Sequence, residues 1–279
     1  MTFLKFNQAN HKLILIKVGG SILQDAAAIT ALCLDFKEIL AHGYQIVLVH
    51  GGSKAINEAL KVYGIESTFI QGLRVTSKAA INIIEMVLCG QVNQLLIRKL
   101  NHVGIKASGL SGAENQLLLC DYLASQYGFV GDIKTVNATH IKQLLANNLL
   151  PVIATLGVDK EGQAVNVNGD MAACHLAHAL AVDQLIYLTD QDGVYDSQGQ
   201  LFSELAEEDL KHLIAQSIVT DGMLVKVQAI LNSLEQGLRQ IRILNGKQQR
   251  ILTEAILHEK KRGTLCVRTT CQPTLKKCV

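Results

Sequence analysis

Residues 13–20 read Leu-Ile-Leu-Ile-Lys-Val-Gly-Gly. An apolar run stopped by a glycine pair predicts a buried strand that ends in a tight turn. The same rhythm returns at 46–52, Ile-Val-Leu-Val-His-Gly-Gly, and a helix-like stretch follows each turn, Ala26 to Ala41 and then Ser53 to Tyr63. Strand, glycine turn and helix, repeated in that order, predict an α/β fold: a three-layer α/β/α sandwich around a mostly parallel central sheet.

Outward from these two units, mixed three- and four-residue apolar spacing predicts a long helix from Ser77 to Asn101. Strand-like segments follow at Lys106–Leu110, Gln116–Asp121, Val130–Val136, Pro151–Thr155 and Gln163–Val167, with helices over Thr139–Asn147 and Asp170–Ala181. A further strand, Leu185–Thr189, runs into the turn Asp190-Gln191-Asp192-Gly193. Helices from Glu207 and Met223 and strands at Gln240–Leu244 and Thr264–Val267 complete the pattern. Only two prolines occur and no Ser/Gly-rich linker, so a boundary between lobes has to be a tight hinge, placed near Ala181–Asp183. The expected division is 1–181, 182–267 and a flexible tail, 268–279.

Composition excludes several classes. Of 279 residues, 49% are hydrophobic and 18% charged, enough for a sizeable core and unlike a disordered chain. The net charge of +2 gives no general pull toward nucleic acid or membrane. No uninterrupted apolar run reaches the ~18 residues of a membrane span, and the N-terminus lacks a secretory signal core. The seven cysteines are scattered without a C-x-x-C pair, so buried thiols in a reducing cytoplasm are expected and no metal site. No G-x-G, Walker loop, H-E-x-x-H or G-x-S-x-G occurs, which removes the dinucleotide, P-loop, zincin and hydrolase readings.

The chemistry gathers at the glycine turns. Ligands of open α/β sheets lie beyond the carboxyl ends of strands, and a helix N-terminus presents free N–H groups to anions. Gly19–Gly20 and Gly51–Gly52 are therefore candidate anion cradles. Lys17 sits inside an apolar strand on the face of Leu13 and Leu15, a costly place for a charge without an anionic partner. Asn166, Asn168 and Asp170 open an Ala-rich helix, where Asp170 could either cap the helix or orient lysines. Lys226 lies among apolar neighbours as a second lysine. Arg74 is a candidate carboxylate fork, against the alternative of a surface salt bridge. His50, ending a buried strand, reads as a hydrogen-bonded scaffold residue rather than a base.

In order and spacing, LILIKVGG, LVHGG, GLRVT, NVNGD, LTDQDGVYD and TDGMLVKV resemble the acetylglutamate kinase family of amino-acid kinases, over Leu13 to Val267. The resemblance implies transfer of the ATP γ-phosphoryl group to the side-chain carboxylate of N-acetyl-L-glutamate, in arginine biosynthesis. It implies an N-terminal lobe for the amino acid and for dimerisation, and a C-terminal lobe for ATP. By motif match, Lys17 and Lys226 stabilise the transferring group, Asp170 orients them, and Gly19, Gly20, Gly51 and Gly52 offer N–H groups. Gly51, Gly52, Arg74, Asn166 and Asn168 hold the substrate. Asp190, Gln191, Asp192, Gly193, Val194 and Tyr195, with Ile218, Val219 and Thr220, line the nucleotide. A carboxylate nucleophile is ionised at neutral pH, so no general base is needed. Lysines, N–H groups and a Mg²⁺ held mainly by the nucleotide phosphates supply the charge neutralisation.

The chain departs from the family pattern at Ser53, at GLSGAENQ (109–116) and at Asp190-Gln191-Asp192-Gly193, all of which bear on loop geometry. Twelve residues precede the first strand, where arginine-inhibited relatives carry a longer helix, so neither feedback control nor a hexamer is expected. Rival readings are an acetylaminoadipate-type kinase of lysine biosynthesis, with a pocket one methylene longer, and a non-catalytic arginine sensor or nitrogen-signal docking protein. The second is disfavoured by retention of Lys17, Lys226 and Asp170. Ile83, Ile84, Val87, Leu88, Leu95, Leu96 and Ile97 spread around the long helix, which predicts a homodimer with Val87 facing outward.

Overall fold

A computed structural model describes residues 12–268. In chain order the strands are β1 (Leu13–Val18), β2 (Gln45–His50), the short pair β3 (Phe69–Ile70) and β4 (Leu73–Arg74), β5 (Ala107–Leu110), β6 (Leu118–Tyr122) and β7 (Gly131–Val136). There follow β8 (Leu150–Ala154), β9 (Leu156–Val158), β10 (Ala164–Asn166), β11 (Gln184–Thr189), β12 (Glu204–Ala206), β13 (Gln240–Asn245) and β14 (Thr264–Val267). The helices are α1 (Ala26–Ala41), α2 (Ser53–Val62), α3 (Lys78–His102), α4 (Thr139–Ala146), α5 (Gly169–Leu180), α6 (Glu207–Ala215), α7 (Asp221–Glu235) and α8 (Ile251–Ile256).

Eight strands form the central sheet in the order β12-β14-β13-β11-β1-β2-β8-β5, parallel throughout except for β13 against β14. The alternation of side chains along each strand sorts the core into two layers. Ile14, Ile16, Ile46, Leu48 and Ile186 face one side, packed with α1, α2, α3 and α8. Leu15, Val47, Val49, Leu185 and Tyr187 face the other, packed with α4, α5, α6 and α7. This is the expected three-layer α/β/α sandwich. A second sheet, β10-β9-β6-β7, lies on the second side.

Helix α3 is interrupted. Residues Met86–Asn93 wind as a π-helix between two α-helical segments. The helix has the length and apolarity of a membrane span, yet half of its most apolar stretch is buried inside the structure. The expectation for Val87 is corrected here: it is 5% exposed and belongs to the core, as do Ile83, Ile84, Leu88 and Leu96. The chain's own layers cover these residues, and the large apolar side chain that α3 leaves open is Met86. The expected flexible tail, 268–279, lies almost wholly outside the described residues.

Candidate active site

The register of β1 sets the centre of the site. Lys17 pairs with Val49 of β2 on one side and Tyr187 of β11 on the other, so it stands in mid-sheet and not at an edge. Alternation turns it to the Leu15 face, toward the N-terminus of α5. There its ammonium lies 2.6 Å from Asp170 Oδ1, while Lys226 Nζ, carried by α7, donates to Asp170 Oδ2 at 2.8 Å. All three side chains are 12–13% exposed.

Local sequence explains why Asp170 is free for this role. Asn168 caps α5, its Oδ1 accepting from the N–H groups of Asp170 at 2.9 Å and Met171 at 3.1 Å. The cap is thus Asn168, and the Asp170 carboxylate turns to the lysines. Gly169 matters for a steric reason: a Cβ there would stand 3.1 Å from Lys17 Cε. Burial works to raise the Asp170 carboxyl, but the two ammonium groups together outweigh it and hold it well below the usual carboxylate range. Burial pulls Lys226 down, and Asp170 works against that pull. One carboxylate balances only one of two ammonium groups, so the cluster keeps a net positive charge in a low-dielectric place, which favours an anion above it.

The two glycine turns meet beside this cluster. A Cβ on Gly20 would lie 3.1 Å from the Ser53 nitrogen, so the first turn rests against the start of α2. Gly52 is the N-cap of α2 and brings no side-chain cap, which leaves first-turn N–H groups open to an anion. Gly19 departs from its expected role: its N–H donates to Leu188 O at 3.0 Å and shapes the turn. His50 is fully buried, with Nδ1 3.0 Å from Gly51 O and Nε2 3.0 Å from Asn93 Nδ2. Burial lowers it to about 4, so it is a neutral scaffold residue.

A cavity of ≈190 Å³ opens where these parts converge, and Lys17, Gly20, Gly51, Gly52, Arg74, Asn166, Asn168 and Asp170 all line it. Arg74 is 6% exposed and has no carboxylate partner among the described residues. Its guanidinium donates to Ser67 Oγ and to Ser53 O (3.3 Å) and lies 4.7 Å from the Phe69 ring. The surface-bridge alternative is therefore excluded. Burial lowers Arg74 to about 10, so it stays protonated at neutral pH. Asn166 donates to Thr76 Oγ1 at 3.2 Å. A larger hollow of ≈820 Å³ adjoins this cavity along Gly72, Leu73, Val130 and Asn168. It is lined by neither lysine nor arginine, whereas Lys17, Arg74 and Asp170 line the smaller space.

The expected nucleotide residues stand apart from that cavity, beyond the end of β11 and ahead of α7. Asp192 is held by Asn245 (2.9 Å), Gln248 (2.7 Å) and Tyr195 (3.1 Å), which fixes the loop. Val194 is fully buried and its N–H donates to Thr264 Oγ1 at 2.8 Å, so it anchors the loop to β14. Gly193 packs on the same threonine. Asp190, Gln191 and Thr220 are exposed, Val219 is buried and Ile218 is half-buried. Among the described residues no group of three or more His, Cys, Asp or Glu could hold a metal ion. Sequence reasoning missed Tyr187, Ser67, Phe69 and Thr155. Each is an ordinary residue for its segment, and only long-range packing brings it to the site.

A parallel sheet that gathers two lysines around one carboxylate, beside uncapped helix N–H groups, fits the class of phosphotransferases that work by positioning and charge neutralisation. The chain belongs to the amino acid kinase family, whose model matches residues 12–245. It is 40% identical over 248 residues to the acetylglutamate kinase of Geobacter metallireducens, covering 85% of each chain. It is 38% identical over 237 residues to that of Campylobacter hominis, covering 85% of this chain and 84% of the relative. Among solved structures, smu.665 from Streptococcus mutans matches with a TM-score of 0.79 at 30% identity, over 91% of this chain and 98% of that one. The N-acetylglutamate synthase of Neisseria gonorrhoeae, complexed with coenzyme A and N-acetylglutamate, shares the fold. Its TM-score is 0.84 at 19% identity, over 93% of this chain and 60% of that one.

Proposed function

We propose that this kinase transfers the γ-phosphoryl group of ATP to the side-chain carboxylate of N-acetyl-L-glutamate, giving an acyl phosphate in arginine biosynthesis. The observation that carries the reading is the Lys17–Asp170–Lys226 cluster beside an arginine-walled cavity. It is supported by the name shared by the relatives at 38–40% identity. The substrate's α-carboxylate binds the Arg74 fork, with Asn166 and Asn168 beside it. Its side-chain carboxylate faces the open N–H groups at Gly20 and Gly52. That group attacks already ionised, so the barrier lies in bringing two anions together. Lys17 and Lys226 offset the charge on the transferring group, while Asp170 holds both ammonium groups in place without reorganisation. ATP, taken up as its Mg²⁺ complex, enters over Asp190–Tyr195 and Ile218–Thr220, and the Mg²⁺ would supply further charge neutralisation as part of that substrate. In this reading residues 1–181 serve the amino acid and 182–267 the nucleotide, in a cytoplasmic homodimer.

ADP release measured with acetylglutamate, acetylaminoadipate, glutamate and aspartate tests the reading. Acetylglutamate should give the highest kcat/KM. A higher value for acetylaminoadipate would move the enzyme to the longer substrate, and no release with any of the four would overturn the function.

A further inference from the structure

We propose that Tyr187 is a positioning residue for phosphoryl transfer, its ring holding the Lys226 ammonium and its hydroxyl holding the main chain of Asp170. The proposal rests on the assignment of Lys226 to the transferring group made above.

Three observations converge on this side chain. Tyr187 lies in β11 directly beside Lys17, and it is fully buried. Lys226 Nζ stands 4.8 Å from the centroid of its ring. Its hydroxyl donates to the carbonyl oxygen of Asp170 at 3.1 Å, with the Cys174 thiol 2.9 Å away. A buried tyrosine needs a partner for its hydroxyl, and here that partner is the backbone of the residue that orients both lysines. One side chain therefore holds Asp170 through its hydroxyl and Lys226 through its ring.

A leucine or a methionine would fill much of the same volume without either contact, so packing alone does not require tyrosine. The electrostatic role is specific. A ring face stabilises a cation most where water is excluded, and Lys226 is in such a place. The charged and titratable groups facing Lys226 are Asp170 and Cys174 on α5, Lys17 on β1 and Tyr187 on β11. Asp170 favours the ammonium, whereas burial and Lys17 oppose it. The ring adds to the favourable side and helps keep Lys226 protonated.

The test compares kcat, both KM values and the pH profile of kcat for wild type, Tyr187→Phe and Tyr187→Met, with Lys226→Ala as reference. Tyr187→Phe keeps the ring and should keep the alkaline limb of kcat in place. Tyr187→Met should lower kcat roughly 10-fold, with the KM for acetylglutamate unchanged. It should also move the alkaline limb down by about one pH unit, because a cation without the ring loses its proton more readily. Should the methionine variant not fold, mono-, di- and trifluorinated phenylalanines at position 187 keep the shape and weaken the ring face stepwise, and the limb should step down with them. A limb that stays fixed across the series overturns the proposal. If Lys226→Ala itself keeps normal turnover, the failure lies in the underlying assignment and not in Tyr187.

Discussion

Asp170 faces one ammonium on each of its carboxylate oxygens, and in the proposed mechanism this single residue holds both lysines in place. Lys17→Ala or Lys226→Ala should each lower turnover roughly 10²–10³-fold, the usual effect of removing one donor to developing charge. Substrate binding should fall less, and near-normal turnover in steady-state assays would remove that lysine from the mechanism. In the proposed mechanism Arg74 acts at the ground state instead. Arg74→Lys should raise the KM for acetylglutamate roughly 10-fold while the KM for ATP holds, since a point charge cannot replace a planar two-point donor. An unchanged acetylglutamate KM would take Arg74 out of substrate binding. His50 makes a pH prediction. Its folded value, about 4, lies below the ordinary 6.5, so the unfolded chain binds more protons between these values. Its stabilisation is thus full above pH 6.5 and is lost as pH falls toward 4, at up to about 1.4 kcal/mol per unit. Urea unfolding of wild type against His50→Gln should show a steeper acid loss for wild type, and parallel curves would refute a neutral His50. The sequence announced Lys17 and Arg74 because a charge among apolar residues demands a partner. It did not announce Tyr187, because a tyrosine in a buried strand is ordinary until its register and neighbours are known.

At the scale of elements, the π-helical turn of α3 is where the helix meets the site. A Cβ on Gly52 would fall 2.9 Å from Leu88 Cδ2 and 3.5 Å from Val92 Cγ2, both within the π segment. Asn93, at the end of that segment, donates to Val152 O at 2.9 Å and lies 3.0 Å from His50 Nε2. An extra residue per turn is costly and persists where side chains at a functional site hold it. Asn93→Ala leaves a buried carbonyl and a buried imidazole nitrogen unpartnered, which should cost about 2 kcal/mol of stability in denaturant unfolding. A loss within error of zero would show that the π turn is held by packing alone. These contacts also mark the limit of what was legible. Elements with their own periodicity and turn signals, such as β1, α1, β2 and α5, stand where the sequence places them. The short ones, β3–β4, β9, β12 and α8, went unseen because their stability is long-range. The N-terminus of α8, for example, is capped by Asp35 of α1, which accepts from Leu252 N (3.0 Å) and Thr253 Oγ1 (2.9 Å) across 217 and 218 residues.

For the whole molecule, the surface open to a second subunit differs from the one that the apolar pattern of α3 suggested. Val87 is part of the core, so a charge there would destabilise the chain itself and would not report on assembly. Two features of the same side of the fold remain open to a partner. Met86 projects from α3 at 58% exposure, and β5, the strand that α3 packs beside, ends the central sheet at one edge. An edge strand is a liability that a protein either blunts or covers. In the proposed homodimer a second copy related by a two-fold axis would cover that edge and bury both methionines at once. Sedimentation at micromolar concentration should therefore report a dimer. Met86→Glu should shift the equilibrium toward monomer with the melting temperature of the dissociated chain unchanged. Val87→Glu should instead lower stability at every protein concentration, which separates the two effects. A wild-type chain that sediments as a fully active monomer would refute the homodimer.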